Sequence, residues 1–144
     1  EFCVGEAVAV PTGTGLWTKV LSHSVFQYFP DADYAARACM ELWRIATPGA
    51  KIVVADVPAA AHREEVLRTR GMTGDEPLRH RFYEPDEFRA WFPEAVSVTV
   101  HAPVVPGYEN SRHRFGVVVA VPEKRAPLAA AATLAASMGG ASCA

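Results

Sequence analysis

The pattern of apolar and polar positions is clearest between Val20 and Pro58, and the rest of the chain is organised around that stretch. Val20-Leu21 open a short strand that is too apolar to alternate, as inner parallel strands are. A polar-aromatic loop, Ser22 to Phe29, follows it. Ala35, Ala38, Cys39, Leu42, Ile45 and Ala46 then recur at three- and four-residue spacing, opposite Asp33, Arg37, Glu41 and Arg44, which predicts an amphipathic helix. Pro30-Asp31-Ala32-Asp33 supplies oxygens for the free N–H groups of its first turn, and Pro48-Gly49 stops it. Lys51 to Val57 is a continuous β-branched run, which predicts a central strand. A strand-loop-helix-strand unit of this kind builds a parallel sheet, with ligands beyond the carboxyl ends of its strands.

The flanks are read the same way. Phe2-Cys3-Val4 reads as a short strand, and Thr12 to Gly15 as a flexible connector. Ala59 to His80, broken by Gly71, Gly74 and Pro77, predicts a mobile cover over the site. Glu84-Pro85-Asp86-Glu87 opens a second helix, with Phe88, Trp91 and Phe92 on its inner face and Pro93 closing it. Val96, Val98 and Val100 alternate with polar residues, and Phe115 to Val121 form a buried run. Two strands joined by a loop without a helix are antiparallel neighbours, so the sheet is expected to be mixed. Residues 1–122 are read as one unit, and 123–144 as an alanine-rich disordered tail.

Composition narrows the function classes. Half of the 144 residues are apolar, enough for one domain with a core. Fourteen Lys and Arg against sixteen Asp and Glu leave a net charge of −2 without a basic block, which argues against a nucleic-acid partner. No apolar run approaches the roughly 20 residues of a membrane span. Cys3, Cys39 and Cys143 form no C-x-x-C pair and are read as buried or incidental thiols, so a cytoplasmic location is expected. His62, His80, His101 and His113 show no metal-ligand spacing, so no metal is expected. Ser24 lacks the G-x-S-x-G elbow of a hydrolase.

Three places carry a resemblance to class I S-adenosylmethionine-dependent methyltransferases of the Rossmann-like kind. Phe2 to Ala7 followed by Val10-Pro11 resembles that family's strand and "G-D-A-x-x-L-P" segment, with Glu6 where the family has Asp. Val20 to Phe29 with Thr47 to Asp56 is similar to its fourth strand, helix and "P-G-G" fifth strand, with Ala50 replacing the second glycine. Gly107-Tyr108-Glu109-Asn110-Ser111 with Arg114-Phe115 is similar to a hairpin loop of members acting on small molecules. The family's glycine-rich turn and the acid after its second strand have no counterpart here, and Gly13-x-Gly15 is no substitute. The chain therefore reads as the carboxyl-terminal part of a longer domain, with an unpaired edge on its first inner strand. That edge would allow a homodimer.

The resemblance implies methyl transfer from S-adenosylmethionine to a small-molecule acceptor. The alternative is a non-catalytic remnant or interaction module. Glu6 and Ala7 would meet the adenine, and Ser22 and His23 the methionine part of the cofactor. His23 is the candidate base, since imidazoles ordinarily titrate near neutrality; the bland reading is a loop histidine bonded to backbone. Tyr28, Asp56, Tyr83, Tyr108, Asn110 and Arg114 are the substrate-side candidates, each of which could instead be structural.

Overall fold

A computed structural model describes residues 2–69 and 80–124. The expected tail and the centre of the expected cover, residues 125–144 and 70–79, lie outside the described residues.

Four strands form one mixed sheet: β1 (Trp17–His23), β2 (Ala46–Pro58), β3 (Ser97–His101) and β4 (Arg114–Ala120), in the order β1-β2-β4-β3. β1 and β2 are parallel, joined through helix α1 (Ala32–Ile45), whereas β4 runs antiparallel to both β2 and β3. The strand-helix-strand unit and the terminal antiparallel pair are therefore as expected from the pattern. Among the described residues β1 has no partner on its outer side, where Trp17 and Leu21 are 50% and 69% exposed.

The buried stripe of α1 (Ala35, Ala38, Cys39, Leu42, Ile45) packs on the sheet face carrying Val20, Ile52, Val54, Val117 and Val119. Small side chains at three of those helix positions let it lie close to the strands. Asp31 caps the helix, its Oδ1 accepting from the Tyr34 amide at 2.6 Å. Helix α3 (Pro85–Trp91) covers the same face with Phe88, and the Glu84 amide donates to Glu87 Oε2 at 2.7 Å across its first turn. The short helix α2 (Arg63–Thr69) lies between α1 and α3 in sequence. The opposite face, carrying His23, Val53, Ala55, Gly116 and Val118, has no helix against it among the described residues.

Several expectations need correction. Phe2-Cys3-Val4 is not a strand: Phe2 and Val4 are fully exposed, and among the described residues no strand pairs with them. The segment instead makes a tight turn at Glu6 to Ala9 and is tied to α1. Glu41, expected on the polar face of α1, is 9% exposed and does the tying. Its Oε1 accepts from the Val10 amide at 2.7 Å, and its carboxylate holds Arg44, which donates to the carbonyls of Val10 and Thr12. The helix ends at Ile45, before Pro48-Gly49, because the amides of Gly15 and Leu16 reach the carbonyls of Arg44 and Ile45 at 2.9 Å. Cys39 is a free buried thiol, but Cys3 is disulfide-bonded, so cysteine usage no longer argues for a reducing compartment. Among the described residues no helix is long and apolar enough to cross a membrane.

Candidate functional site

The site is built where β1 and β2 end side by side. Ser24, which follows β1, and Asp56, two residues before the end of β2, both have left-handed backbone, at φ +57° and φ +58°. These are uncommon outside glycine; Asp tolerates the conformation best of the two. A bulge explains Asp56. Val54 pairs with Val117 and Val57 with Phe115, so Ala55 and Asp56 together oppose Gly116. A Cβ on Gly116 would come within 3.1 Å of the Val54 carbonyl, a tighter contact than most side chains make, and glycine avoids it. Bulges turn the bulged strand and re-aim its side chains. Here the result is that the Asp56 carboxylate meets the Ser24 hydroxyl, which donates to Oδ2.

Other elements converge on this pair. Tyr108, in the loop between β3 and β4, donates its hydroxyl to Asp56 Oδ1 at 3.0 Å. Arg114, the first residue of β4, donates to the Asp56 carbonyl at 3.1 Å and to Gln27 Oε1, and stands 3.8 Å from Asp56 Oδ2. Gln27 is buried in the 3-10 turn Phe26–Tyr28 and donates back to the Ser24 carbonyl at 3.2 Å. Desolvation, reinforced by the bond to Asp56, raises the Tyr108 phenol above its ordinary value, so it is a donor near neutrality.

An open groove of about 490 Å³ runs from this cluster over the bare sheet face, within the range of small-molecule sites. His23, Asp56, Tyr108 and Arg114 line it, together with His101 and Ser111. The remaining candidates lie elsewhere. Strand alternation puts Ser22 on the opposite face from His23. Glu6 and Ala7 lie beside the first turn of α1, where Glu6 Oε2 accepts from the Tyr34 hydroxyl at 2.8 Å. Tyr28 is 64% exposed and stacks edge-on with His80, while Asn110 is exposed in the 3-10 turn Glu109–His113.

Tyr83 is a core residue, which corrects its place among the substrate-side candidates. It is 1% exposed, sits among Phe26, Phe88 and Trp91, and donates to the Phe26 carbonyl at 2.8 Å. Burial pushes its phenol well above the ordinary value. Tyr83→Phe leaves that carbonyl without its donor and is expected to cost about 1–2 kcal/mol in urea unfolding. A loss below a few tenths would show that the bond contributes nothing.

Ser24 and Gln27 are the polar groups that sequence reasoning missed. Ser24 entered only as a failed nucleophile, and Gln27 only as part of the loop. The signal was present in their position after the first inner strand, but their partners, Asp56 for Ser24 and Arg114 for Gln27, are brought in by tertiary folding.

No protein-family model matches the chain, and no curated protein does. Solved structures do. The chain is similar to a SAM-dependent methyltransferase from Methanosarcina mazei, at 16% identity and a TM-score of 0.58, over 85% of this chain and 66% of that one. It is also similar to a SAM-dependent methyltransferase from Thermotoga maritima described as a possible histamine N-methyltransferase, at 16% identity and TM-score 0.57, over 81% and 62%. A third is the S-adenosylmethionine-dependent methyltransferase SibL, at 13% identity and TM-score 0.61, over 83% and 35%. The chain has the Rossmann-like methyltransferase fold. It spans between about a third and two thirds of the length of these three structures. With the methyltransferase fold established, the crevice beyond β1 and β2 is the place where ligands bind in open α/β sheets.

Proposed function

We propose that this chain is the acceptor-side part of an S-adenosylmethionine-dependent methyltransferase acting on a small molecule, within a longer protein. The observation that carries the reading is the Ser24–Asp56 junction, two residues near adjacent strand ends held in left-handed backbone at the mouth of an open groove. Strained backbone kept in place by a bulge and by the side chains of Gln27, Tyr108 and Arg114 is characteristic of sites under functional constraint.

The residues present fit the cofactor in part. α1 runs back from the loop after β1, so Glu6 and Ala7, at its first turn, share the carboxyl end of the sheet with His23. An adenine amino group would compete with the Tyr34 hydroxyl for the Glu6 carboxylate. When bound, S-adenosylmethionine supplies an electrophilic methyl group. The chain's own contribution is position and proton handling. His23 faces the groove and is the candidate to accept a proton from the acceptor. Arg114 presents donors to an acceptor oxygen, while Tyr108, whose single O–H is held by Asp56, offers its phenol oxygen as a hydrogen-bond acceptor. The free edge of β1 supports a longer parent, since a further strand would cover it.

Titrating the full-length protein with S-adenosylmethionine and S-adenosylhomocysteine in a calorimeter tests the reading. Saturable heat at one equivalent is expected, and its absence for both ligands would sink it. The exposed edge of β1 favours a second reading, a binding module that pairs through that edge. A stable cofactor-free dimer in light scattering, with no heat from either ligand, would replace the first reading with this one.

A further inference from the structure

We propose a second site on this fold: a divalent transition-metal site, of the zinc type, formed by His62, Glu65 and His113. His62 and Glu65 are one helical turn apart, whereas His113 is distant in sequence, so spacing alone announces no metal motif. The fold assembles them. His62 ends the 3-10 turn Ala60–His62, Glu65 lies one turn further on in α2, and His113 immediately precedes β4. The Ala59 amide donates to the His113 carbonyl at 3.0 Å, which locks the start of the turn against the hairpin loop.

The geometry suits a metal. One ligand atom from each residue lies within 4.8 Å of the other two. His113 Nε2 stands 3.3 Å from Glu65 Oε1, and His62 Nδ1 stands 3.5 Å from Glu65 Oε2. Bond lengths of about 2.0–2.2 Å in a tetrahedral shell separate neighbouring ligand atoms by roughly 3.3–3.5 Å. The side chains of His62 and Glu65 are 43% and 45% exposed, so both can rotate to close the longest gap.

A second observation points the same way. His113 Nε2 is buried and makes no hydrogen bond, although the Glu65 carboxylate is in reach. A neutral imidazole nitrogen with its lone pair turned toward a carboxylate oxygen is repulsive unless a cation stands between them. A proton can fill that role on one histidine, but a metal fills it for both histidines and the carboxylate together. Two imidazoles and one carboxylate are a borderline donor set matched to Zn²⁺, leaving one position for water or another ligand. His113 is the neighbour of Arg114, so a metal here would pin α2 to the base of the candidate site.

The test uses the full-length protein stripped with a chelator, titrated with Zn²⁺ by calorimetry and with Co²⁺ by visible absorption. The expected result is one Zn²⁺ per chain and a tetrahedral Co²⁺ spectrum without thiolate charge transfer. Glu65→Gln and His62→Gln are each expected to weaken binding by at least tenfold with unchanged circular dichroism. Both side chains are partly exposed, so these variants answer even if His113→Gln fails to fold. Absence of saturable binding, binding undiminished in both variants, or a Co²⁺ spectrum showing cysteine ligation would each overturn the site.

Discussion

Phe88→Ala is expected to destabilise the domain by about 3–5 kcal/mol. Phe88 is completely buried, and its ring lies 5.1 Å from Trp91, 5.4 Å from Phe26, 5.7 Å from Phe115 and 5.9 Å from Tyr83, centroid to centroid. Most of these contacts are edge-on or tilted, the arrangements that aromatic quadrupoles favour. Removing the ring opens a cavity that four rigid neighbours cannot fill by rotation. The consequence reaches the site, because Phe26 precedes Gln27 and Phe115 follows Arg114 along the chain. Urea unfolding should show a lower midpoint with an unchanged slope, and Phe88→Leu should recover much of the loss. A decrease below about 1 kcal/mol would mean that the cluster collapses around the gap and does not set the site.

Legibility in the sequence followed the range of the interactions involved. α1, β2 and β4 are written in local pattern: a helical stripe from Ala35 to Ile45, and β-branched runs at Ile52–Val54 and Val117–Val119. The antiparallel pairing of β3 and β4 followed from a connection that contains no α-helix. Asp56 and Arg114 were singled out because strand ends and hairpin loops face the crevice, and the structure brings the two into contact. Tyr83 was misplaced for the opposite reason. An aromatic with a hydroxyl reads equally as pocket or core, and what decides is a carbonyl at Phe26, far away in sequence. Glu41 was misread because a helical wheel cannot see the opening segment that folds over its polar face. The opening strand failed because strand pairing is a property of neighbours, and Phe2 to Val4 have none among the described residues. The His62–Glu65–His113 cluster joins a local i,i+3 pair to a histidine from the far side of the hairpin loop, which is why ligand spacing did not reveal it.

Asp56 is where the candidate site can be separated into charge and strain. Asp56→Asn keeps a side chain that tolerates left-handed backbone, so at φ +58° it removes charge with little conformational cost. The side chains of Asp56 and Arg114 are 9% and 11% exposed, so the guanidinium loses a counter-charge it cannot exchange for bulk water. Two hydroxyls, from Ser24 and Tyr108, now donate to separate carboxylate oxygens, whereas an amide offers one oxygen and two donors. Arg114 keeps its bonds to the Asp56 carbonyl and to Gln27, which limits the damage. The expected cost is about 2–3 kcal/mol, read as a lower urea midpoint. Asp56→Ala should cost about 1–2 kcal/mol more, because alanine in left-handed backbone adds strain to the lost interactions. The Tyr108 phenol titrates above its ordinary value, so its bond to Asp56 is present through neutral pH and is lost only as pH rises through the folded-state value. Below pH 9, therefore, the difference between wild type and Asp56→Asn should not change through this tyrosine. Equal losses for the Asn and Ala variants would refute the strain argument. Asparagine at wild-type stability would show that the carboxylate does not organise Ser24, Tyr108 and Arg114.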